Sequence, residues 1–222
     1  MHYYYVGEAH IFPHPRMVKS SGILAVGGDL DPDRLMLAYQ YGIYPWFNEG
    51  EPVIWWCPAP RFVIFPDRVK VARSMRPYFN QQRFRVTYNQ HFTEVMRFCQ
   101  FIPRHGQEGT WITEDIVHAY TALFHQGNAM SVEVWEGENL VGGLYGVIIG
   151  KVFFGESMFS VVSNASRYGF ITLAKRLAEE GFQMIDCQQP NPYLASLGGE
   201  FLSGEAFHEI LRKNRLTWLQ GQ

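Results

Sequence analysis

Between Ser131 and Phe159 the chain has little freedom in what it can form. Ser131–Trp135 alternates apolar and polar residues, and Gly137-Glu138-Asn139 is a hairpin turn. Leu140–Ile149 and Lys151–Phe159 then follow as two further strand-length runs. Turns this short join antiparallel neighbours, so a three-stranded meander is expected at the centre of the fold. Successive side chains on a strand point to opposite faces. Val152, Phe154, Glu156, Met158 and Ser160 should therefore share one face of the third strand. Met184, Asp186 and Gln188 should share a face of a later one. Carboxylates rarely enter a core without partners. Glu156 and Asp186, with the amide of Gln188 beside them, mark a candidate reactive pocket.

The remaining elements follow from their punctuation. Asp31 as N-cap and Pro32 in the first turn start a helix over Arg34–Tyr41, which Gly42 stops. Two segments dense in Trp and Pro come next, Gly42–Phe47 and Val53–Pro58. They read either as a small core packed on a second domain or as a stacking platform for bases. A strand begins at Arg61, and a domain boundary is expected just before it, giving residues 1–60 and 61–222. Helices are predicted over Val69–Phe79, Phe92–Phe101, Glu114–His125 with Thr113 as its cap, Asn164–Glu180 ended by Gly181, and Ser203–Asn214. Hairpins, a central helix and a returning strand describe an α+β fold of the acyltransferase type.

Composition removes several classes. The 222 residues are 47% hydrophobic and 16% aromatic, ample for a packed core. No apolar run reaches the roughly 18 residues that a membrane span needs. Met1–Arg16 lacks the basic and apolar regions of a secretory signal. Cys57, Cys99 and Cys187 are odd in number and far apart, which suits reduced thiols in the cytoplasm. Charge is uneven along the chain. Arg61–Arg104 holds nine basic residues against Asp67 and Glu94, a net +7, and this leaves −9 for the remainder. A polyanion-binding face would produce that asymmetry, and so would scattered solvated arginines.

Motif tests exclude more than they admit. Asp29, Asp31 and Asp33 imitate a calcium loop, but Arg34 and Gln40 stand where it needs Gly and Glu. No histidine spacing suits a metal site. Gly155-Glu156-Ser157-Met158-Phe159 lacks the closing Gly of a nucleophile elbow. Cys187 should point away from Asp186 and reads as a core thiol. An acyl-CoA transferase of this fold class needs Arg or Gln followed three residues later by Gly, and no such pair occurs.

A set of motifs spread along nearly the whole chain resembles the leucyl/phenylalanyl-tRNA–protein transferases. They include Gly27-Gly28-Asp29-Leu30, Ala38-Tyr39-Gln40 with Gly42-Ile43-Tyr44-Pro45-Trp46-Phe47, Trp55-Trp56-Cys57-Pro58 with Pro60-Arg61, and Gly109-Thr110-Trp111-Ile112. Gly142-Gly143-Leu144-Tyr145-Gly146, Gly155–Ser160, Asn164-Ala165-Ser166, Asp186-Cys187-Gln188 and Ser196-Leu197-Gly198 complete the set. The resemblance implies a small N-terminal α/β domain before a GNAT-like domain with a mostly antiparallel sheet. It implies transfer of Leu or Phe from aminoacyl-tRNA to proteins beginning with Arg or Lys, which creates an N-end-rule degradation signal. It further implies a monomer with no cofactor and no metal. Leu144, Phe153, Met158, Trp111 and Tyr120 match the aminoacyl pocket, with Ser160 on the same expected strand face, and Trp46 is the candidate for stacking near the terminal adenosine. Asp186 and Gln188 match positions that accept from and orient the attacking amine, and Glu156 is a candidate for binding the incoming cationic N-terminus or for pocket polarity. Arg73, Arg76, Arg83 and Arg85 are the expected tRNA contacts. A tRNA-binding module without catalysis and a CoA-dependent N-acyltransferase are the alternatives.

Overall fold

A computed structural model describes residues 3–102 and 110–220, with side chains described as far as residue 215. Arg104 and the pair Glu108-Gly109, which enter the charge count and one motif, lie outside the described residues. Two sheets organise the chain. The first has the order β1-β2-β4-β3, from Tyr4–Val6 (β1), Ile23–Gly27 (β2), Tyr44–Pro45 (β3) and Ile54–Trp56 (β4). Pro32–Gln40 (α1) lies between β2 and β3 in the chain, and its start is fixed as expected. The Asp31 carboxylate accepts from the Asp33 amide at 2.9 Å, and Pro32 occupies the first turn.

The second sheet has seven strands in the order β11-β5-β10-β9-β8-β7-β6. Arg61–Ile64 is β5, Arg85–Tyr88 is β6, and Ala129–Glu136 (β7), Asn139–Ile149 (β8) and Val152–Ser160 (β9) form the meander. Met184–Asp186 is β10 and Glu200–Leu202 is β11. All neighbours are antiparallel except β9 and β10. That parallel step needs a crossover, which the helix Ala165–Glu179 (α5) supplies. The chain is thus α+β, with a small N-terminal sheet and a mostly antiparallel main sheet.

Helices cover both faces of the main sheet. Phe92–Phe101 (α3) and Glu114–His125 (α4) pack on one face, and their core is continuous with Leu24, Leu35, Tyr39 and Trp55 of the N-terminal part. On the other face α5 buries Tyr168, Phe170, Ile171 and Leu173 against Leu144, Phe153 and Ile185. The final helix, Gly204–Gln220 (α7), puts Phe207 and Leu211 into the first of these cores.

One predicted helix is replaced. Residues 69–79 form only a short helix, Arg76–Asn80 (α2), after a single tight turn at Arg73–Met75. The Lys70 amide is drawn to the Leu197 carbonyl at 2.9 Å, which spends a backbone donor outside any helix. Pro77 then sits in the first turn of α2, where a missing N–H costs nothing. Strand β6, which alternation did not single out, follows and closes the sheet edge.

Close packing leaves β8 intolerant at Gly146. A Cβ there would stand 2.1 Å from the Phe154 carbonyl oxygen and 2.5 Å from the Phe153 ring. Gly146→Ala should therefore cost about 3 kcal/mol, at the upper end of overpacking penalties. A lower urea midpoint at unchanged m-value is the expected reading, and an unchanged midpoint would refute the tight approach.

Candidate active site

Period-two alternation fails at two points in the sheet, and those failures build the site. Between β8 and β9 the pairing runs Tyr145 to Ser157 and then Gly146 to Gly155, so Glu156 is the extra residue of a β-bulge. Facing is reset there. Phe153 and Met158 lie on the α5 side, while Phe154 and Phe159 lie on the α3–α4 side. Val152, Phe154, Glu156, Met158 and Ser160 therefore do not share a face. The second failure ends β10 at Asp186. Gln188 takes a left-handed φ of 62° and its amide N–H bonds back to Asp186 Oδ1 at 2.8 Å. The turn carries the Gln188 side chain to Glu156, where Nε2 donates to Oε1 at 3.0 Å.

Glu156 meets two further groups. Tyr120 of α4 donates from Oη to its other oxygen at 3.4 Å, and the Tyr120 and Tyr39 hydroxyls are hydrogen-bonded to each other in full burial. Burial drives the Glu156 carboxyl up to about 7, while the hydroxyls of Tyr39 and Tyr120 and the Gln188 amide pull it back down. Both tyrosines are pushed well above the ordinary phenol range by burial and the carboxylate, so they stay neutral. A carboxyl of this kind changes charge at neutral pH.

Asp186 has the opposite character. Its two oxygens accept from Arg61 Nε and Nη2 at 3.0–3.1 Å, and both side chains are fully buried. Arg61 Nη2 also donates to the Gly42 carbonyl at 2.7 Å, just past α1, and the guanidinium lies on the rings of Tyr44 and Phe207. Asp186 is thus closed to an incoming amine, contrary to the direct contact expected of it. Its influence passes through the Gln188 backbone.

Glu156 and Gln188 line a cavity of about 840 Å³ whose other walls are mainly apolar: Leu144, Phe153, Met158, Phe170, Ile185 and Leu194. Cys187 and Ser157 also face it, so the cavity lies on the Cys187 side of β10, not on the Asp186 side. Burial and the Asp186 charge push the Cys187 thiol far above its usual range, which leaves it protonated. A larger hollow of about 1000 Å³ lies between α7 and the segment His14–Val18. It touches none of Glu156, Gln188 and the two tyrosines, and its Glu209 is paired with Arg212.

Leu144, Phe153 and Met158 therefore meet in one cavity, while Tyr120 reaches it only through Glu156. Trp111 is buried in the core before α4, and Trp46 is 40% exposed, packed against Trp56 at the end of β3. Ser160 is taken up by the backbone, accepting from the Ser166 amide at 3.1 Å and donating to the Val162 carbonyl at 2.8 Å. It shapes the start of α5 and does not line the cavity. The basic segment is partly consumed by structure: Arg61 by Asp186, Arg83 by Glu136, Arg97 by Glu114 and Arg68 by Glu200. Arg85 stacks on Trp135, and Arg73 and Arg76 have no carboxylate partner among the described residues. Sequence reasoning gave Tyr39 a place in a family motif but no role in the site, and it missed Phe170. Each sits at an ordinary core position of its helix, and only contacts distant in the chain distinguish them.

Two family models match this chain. "Leucyl/phenylalanyl-tRNA protein transferase N-terminal domain" covers residues 28–59, and "Leucyl/phenylalanyl-tRNA protein transferase" covers residues 63–212. The leucyl/phenylalanyl-tRNA–protein transferase of Flavobacterium johnsoniae is 52% identical over 209 residues, 94% of this chain and 99% of that one. Those of Christiangramia forsetii and Pseudomonas fluorescens are 51% and 50% identical, covering 94% and 90% of this chain and 99% and 90% of their own. Among solved structures, an aminoglycoside acetyltransferase from a soil metagenome is similar at a TM-score of 0.38 and 11% identity, over 52% of this chain and 88% of that one. That likeness is too weak to carry an argument.

Two outcomes test the site. Asp186→Asn leaves the Arg61 charge buried without its counter-ion and should cost about 3 kcal/mol, whereas Arg61→Met with Asp186→Leu should recover most of it. A double variant no more stable than the single one would show that the pair is not the source of the loss. For Glu156, the folded carboxyl at about 7 lies above its ordinary 4.5. The unfolded chain loses this proton first, so the contribution to stability is complete below 4.5 and declines as pH rises towards 7. Tyr39→Phe removes a bond that favours the ionised form. The Glu156 carboxyl, followed by carbon-13 NMR, should then titrate higher still, and a value unchanged or lower would detach Tyr39 from it.

Proposed function

The chain belongs to the leucyl/phenylalanyl-tRNA–protein transferase family, and from that membership we propose how its cavity performs the transfer. The enzyme moves Leu or Phe from aminoacyl-tRNA to a protein. The aminoacyl side chain enters the apolar part of the cavity, between Leu144, Phe153, Met158, Phe170 and Ile185. An unbranched Met in that wall adapts to a branched aliphatic group or a ring. Such a wall separates hydrophobic side chains by only about 1–3 kcal/mol per methylene, so the donor range extends to near isosteres, with Met among them.

The reaction joins an α-amino nitrogen to the ester carbonyl and breaks the bond to the ribose oxygen. The observation that carries this reading is the half-buried Glu156 carboxyl near 7, held by Tyr39, Tyr120 and Gln188 at the cavity wall. An α-ammonium of reference pKa about 7.7–8.0 lies close enough to exchange its proton with that carboxyl. Glu156 takes the proton as the amine attacks, and a proton returns to the departing ribose oxygen. Gln188 donates to Glu156 through its amide nitrogen, which leaves the amide oxygen to accept from the amine. Asp186 holds Gln188 in its left-handed turn and acts as a positioning residue. Neither Cys187 nor Ser157 has to act as a nucleophile, because the acceptor brings its own.

The acceptors are proteins beginning with Arg or Lys, and the product is an N-end-rule degradation signal made in the cytoplasm by a monomer. Residues 1–60 and 61–222 are its two domains. Arg73 and Arg76, with Arg83 and Arg85 beside them, form part of the surface that receives the tRNA. Trp46 is the aromatic candidate for the terminal adenosine.

The deciding assay mixes the purified protein with labelled Leu-tRNA or Phe-tRNA and a peptide beginning with Arg. Label should pass to the peptide, and ribonuclease treatment of the donor should abolish the transfer. Binding of tRNA with no transfer would reduce the protein to a binding module. Glu156→Gln should lower kcat at pH 7 by about 10- to 100-fold, near the low end of general-base effects, with KM for the donor little changed. A rise in KM with kcat intact would move Glu156 from proton transfer to binding alone.

A further inference from the structure

A cation stands at the edge of the aminoacyl cavity that neither the charge asymmetry of the sequence nor the family motifs single out. Arg167 lies in the first turn of α5, one turn before Phe170, which lines the cavity. Residues three apart share a helix face, so the two side chains project to the same side. The Arg167 guanidinium lies over the ring of Tyr193, 4.9 Å from its centroid, and Tyr193 is itself a wall residue of the cavity. Tyr193 comes from the short helix Pro192–Ser196 (α6), whose N-cap is Asn191. Arg167 Nε and the Tyr193 hydroxyl are both buried and neither meets full hydrogen-bond geometry with a partner, although the hydroxyl lies close enough to Arg167 and Ser166 to be influenced by both. No carboxylate among the described residues pairs with Arg167, unlike Arg176 on the same helix, which bonds Glu180 at 2.6 Å.

Polar anchors surround this cation. Asn164, in a left-handed conformation, donates to the Tyr78 hydroxyl at 3.1 Å and so ties the entry of α5 to α2. Arg73 and Arg76 stand at the start of that same α2 segment. Lys175, two turns along α5 from Arg167, covers the Phe79 ring of α2 at 4.6 Å. Positive charges therefore stand at α2 (Arg76), just before it (Arg73) and along α5 (Arg167 and Lys175), and Arg167 is the one whose ring partner lines the cavity. Arg fits a phosphodiester because its planar fork of donors matches two phosphate oxygens.

We propose that Arg167, held on the Tyr193 ring, binds the phosphodiester immediately 5′ of the terminal adenosine of the donor. This rests on the reading that the aminoacyl group fills the Leu144–Met158–Phe170 cavity. With the ester at Glu156, the ribose that carries it must leave through the rim, and its first phosphate lies one sugar away. The contact positions the donor and touches no reacting atom, so Arg167 is a positioning residue. It fixes the ribose against the rim while the side chain is held by apolar contact alone.

The test uses three donors that differ in phosphate. Phenylalanyl-adenosine has none, phenylalanyl-cytidylyl-adenosine has one, and Phe-tRNA has the full chain. Transfer from Phe-tRNA by the native protein is measured first, and its absence overturns the transferase reading together with this one. Arg167→Ala should raise KM about tenfold or more for both phosphate-bearing donors, as expected for a lost charge-assisted bond, with kcat within about twofold. Its kinetics with phenylalanyl-adenosine should stay within about twofold of the native values. Arg167→Lys keeps the charge and should recover part of the loss. A KM increase of the same size for phenylalanyl-adenosine would show that Arg167 only props the Tyr193 wall, and no increase for any donor would remove the contact. Either result overturns the proposal.

Discussion

The ion pair between Arg61 and Asp186 is the constraint that the site cannot do without. Both charges are fully buried, a position that repays its desolvation only when every lone pair and donor is well placed. The pair draws on four parts of the chain to do so, with only Arg61 Nη1 left without a hydrogen-bond acceptor. Arg61 begins β5, Asp186 ends β10, the Gly42 carbonyl follows α1, and Phe207 comes from α7. Burial opposes the Arg61 charge and the Asp186 carboxylate more than restores it, so its pKa ends above the ordinary range. Coulombic attraction at low dielectric thus joins β5 to β10 where β10 must stop, and the same guanidinium reaches the N-terminal part through the Gly42 carbonyl and the Tyr44 ring.

Stopping β10 there is what gives the site its amide. Once Asp186 is fixed, its oxygen also accepts the Gln188 amide, which holds Gln188 in a left-handed turn that a non-glycine residue rarely adopts. The bulge at Glu156 performs the same service on the neighbouring strand. Two local departures from regular sheet bring together a carboxyl and an amide that the alternation of their strands would have separated. Bulges and strained residues often mark functional sites because a regular ladder cannot aim side chains in this way.

The chemistry of the cavity follows from who is charged. Asp186 spends its charge on Arg61, whereas Glu156 is held by neutral tyrosines and an amide and so remains free to titrate near neutrality. The tyrosines come from α1 and α4, which pack on each other across the shared core. The surroundings of the Glu156 carboxyl are therefore built jointly by α1 in the N-terminal part and α4 on the main sheet. A thiol and a hydroxyl also face the cavity, but aminolysis of an activated ester has no use for a protein nucleophile. Placing the amine against the ester can supply most of the rate.

Much of this was legible in the sequence. Alternation and a three-residue turn dictated the meander, Asp31 with Pro32 dictated the start of α1, and Gly42 its end, because these signals are local and steric. Glu156, Asp186 and Gln188 stood out because polar groups in a core demand partners. Their family motifs gave the activity. Partner identity was not legible, since it depends on contacts between residues 32 to 125 apart in the chain. Only the tertiary structure decided that Arg61 belongs to Asp186 and not to a polyanion. The bulge was equally hidden, because one extra residue in β9 leaves the composition unchanged yet reverses which face each later side chain occupies. Tyr39 lay within a predicted helix and a family motif, and it was the packing of α1 against α4 that set its hydroxyl beside Glu156. Sequence determined which residues had to be explained, and burial with long-range electrostatics decided which of them could still react.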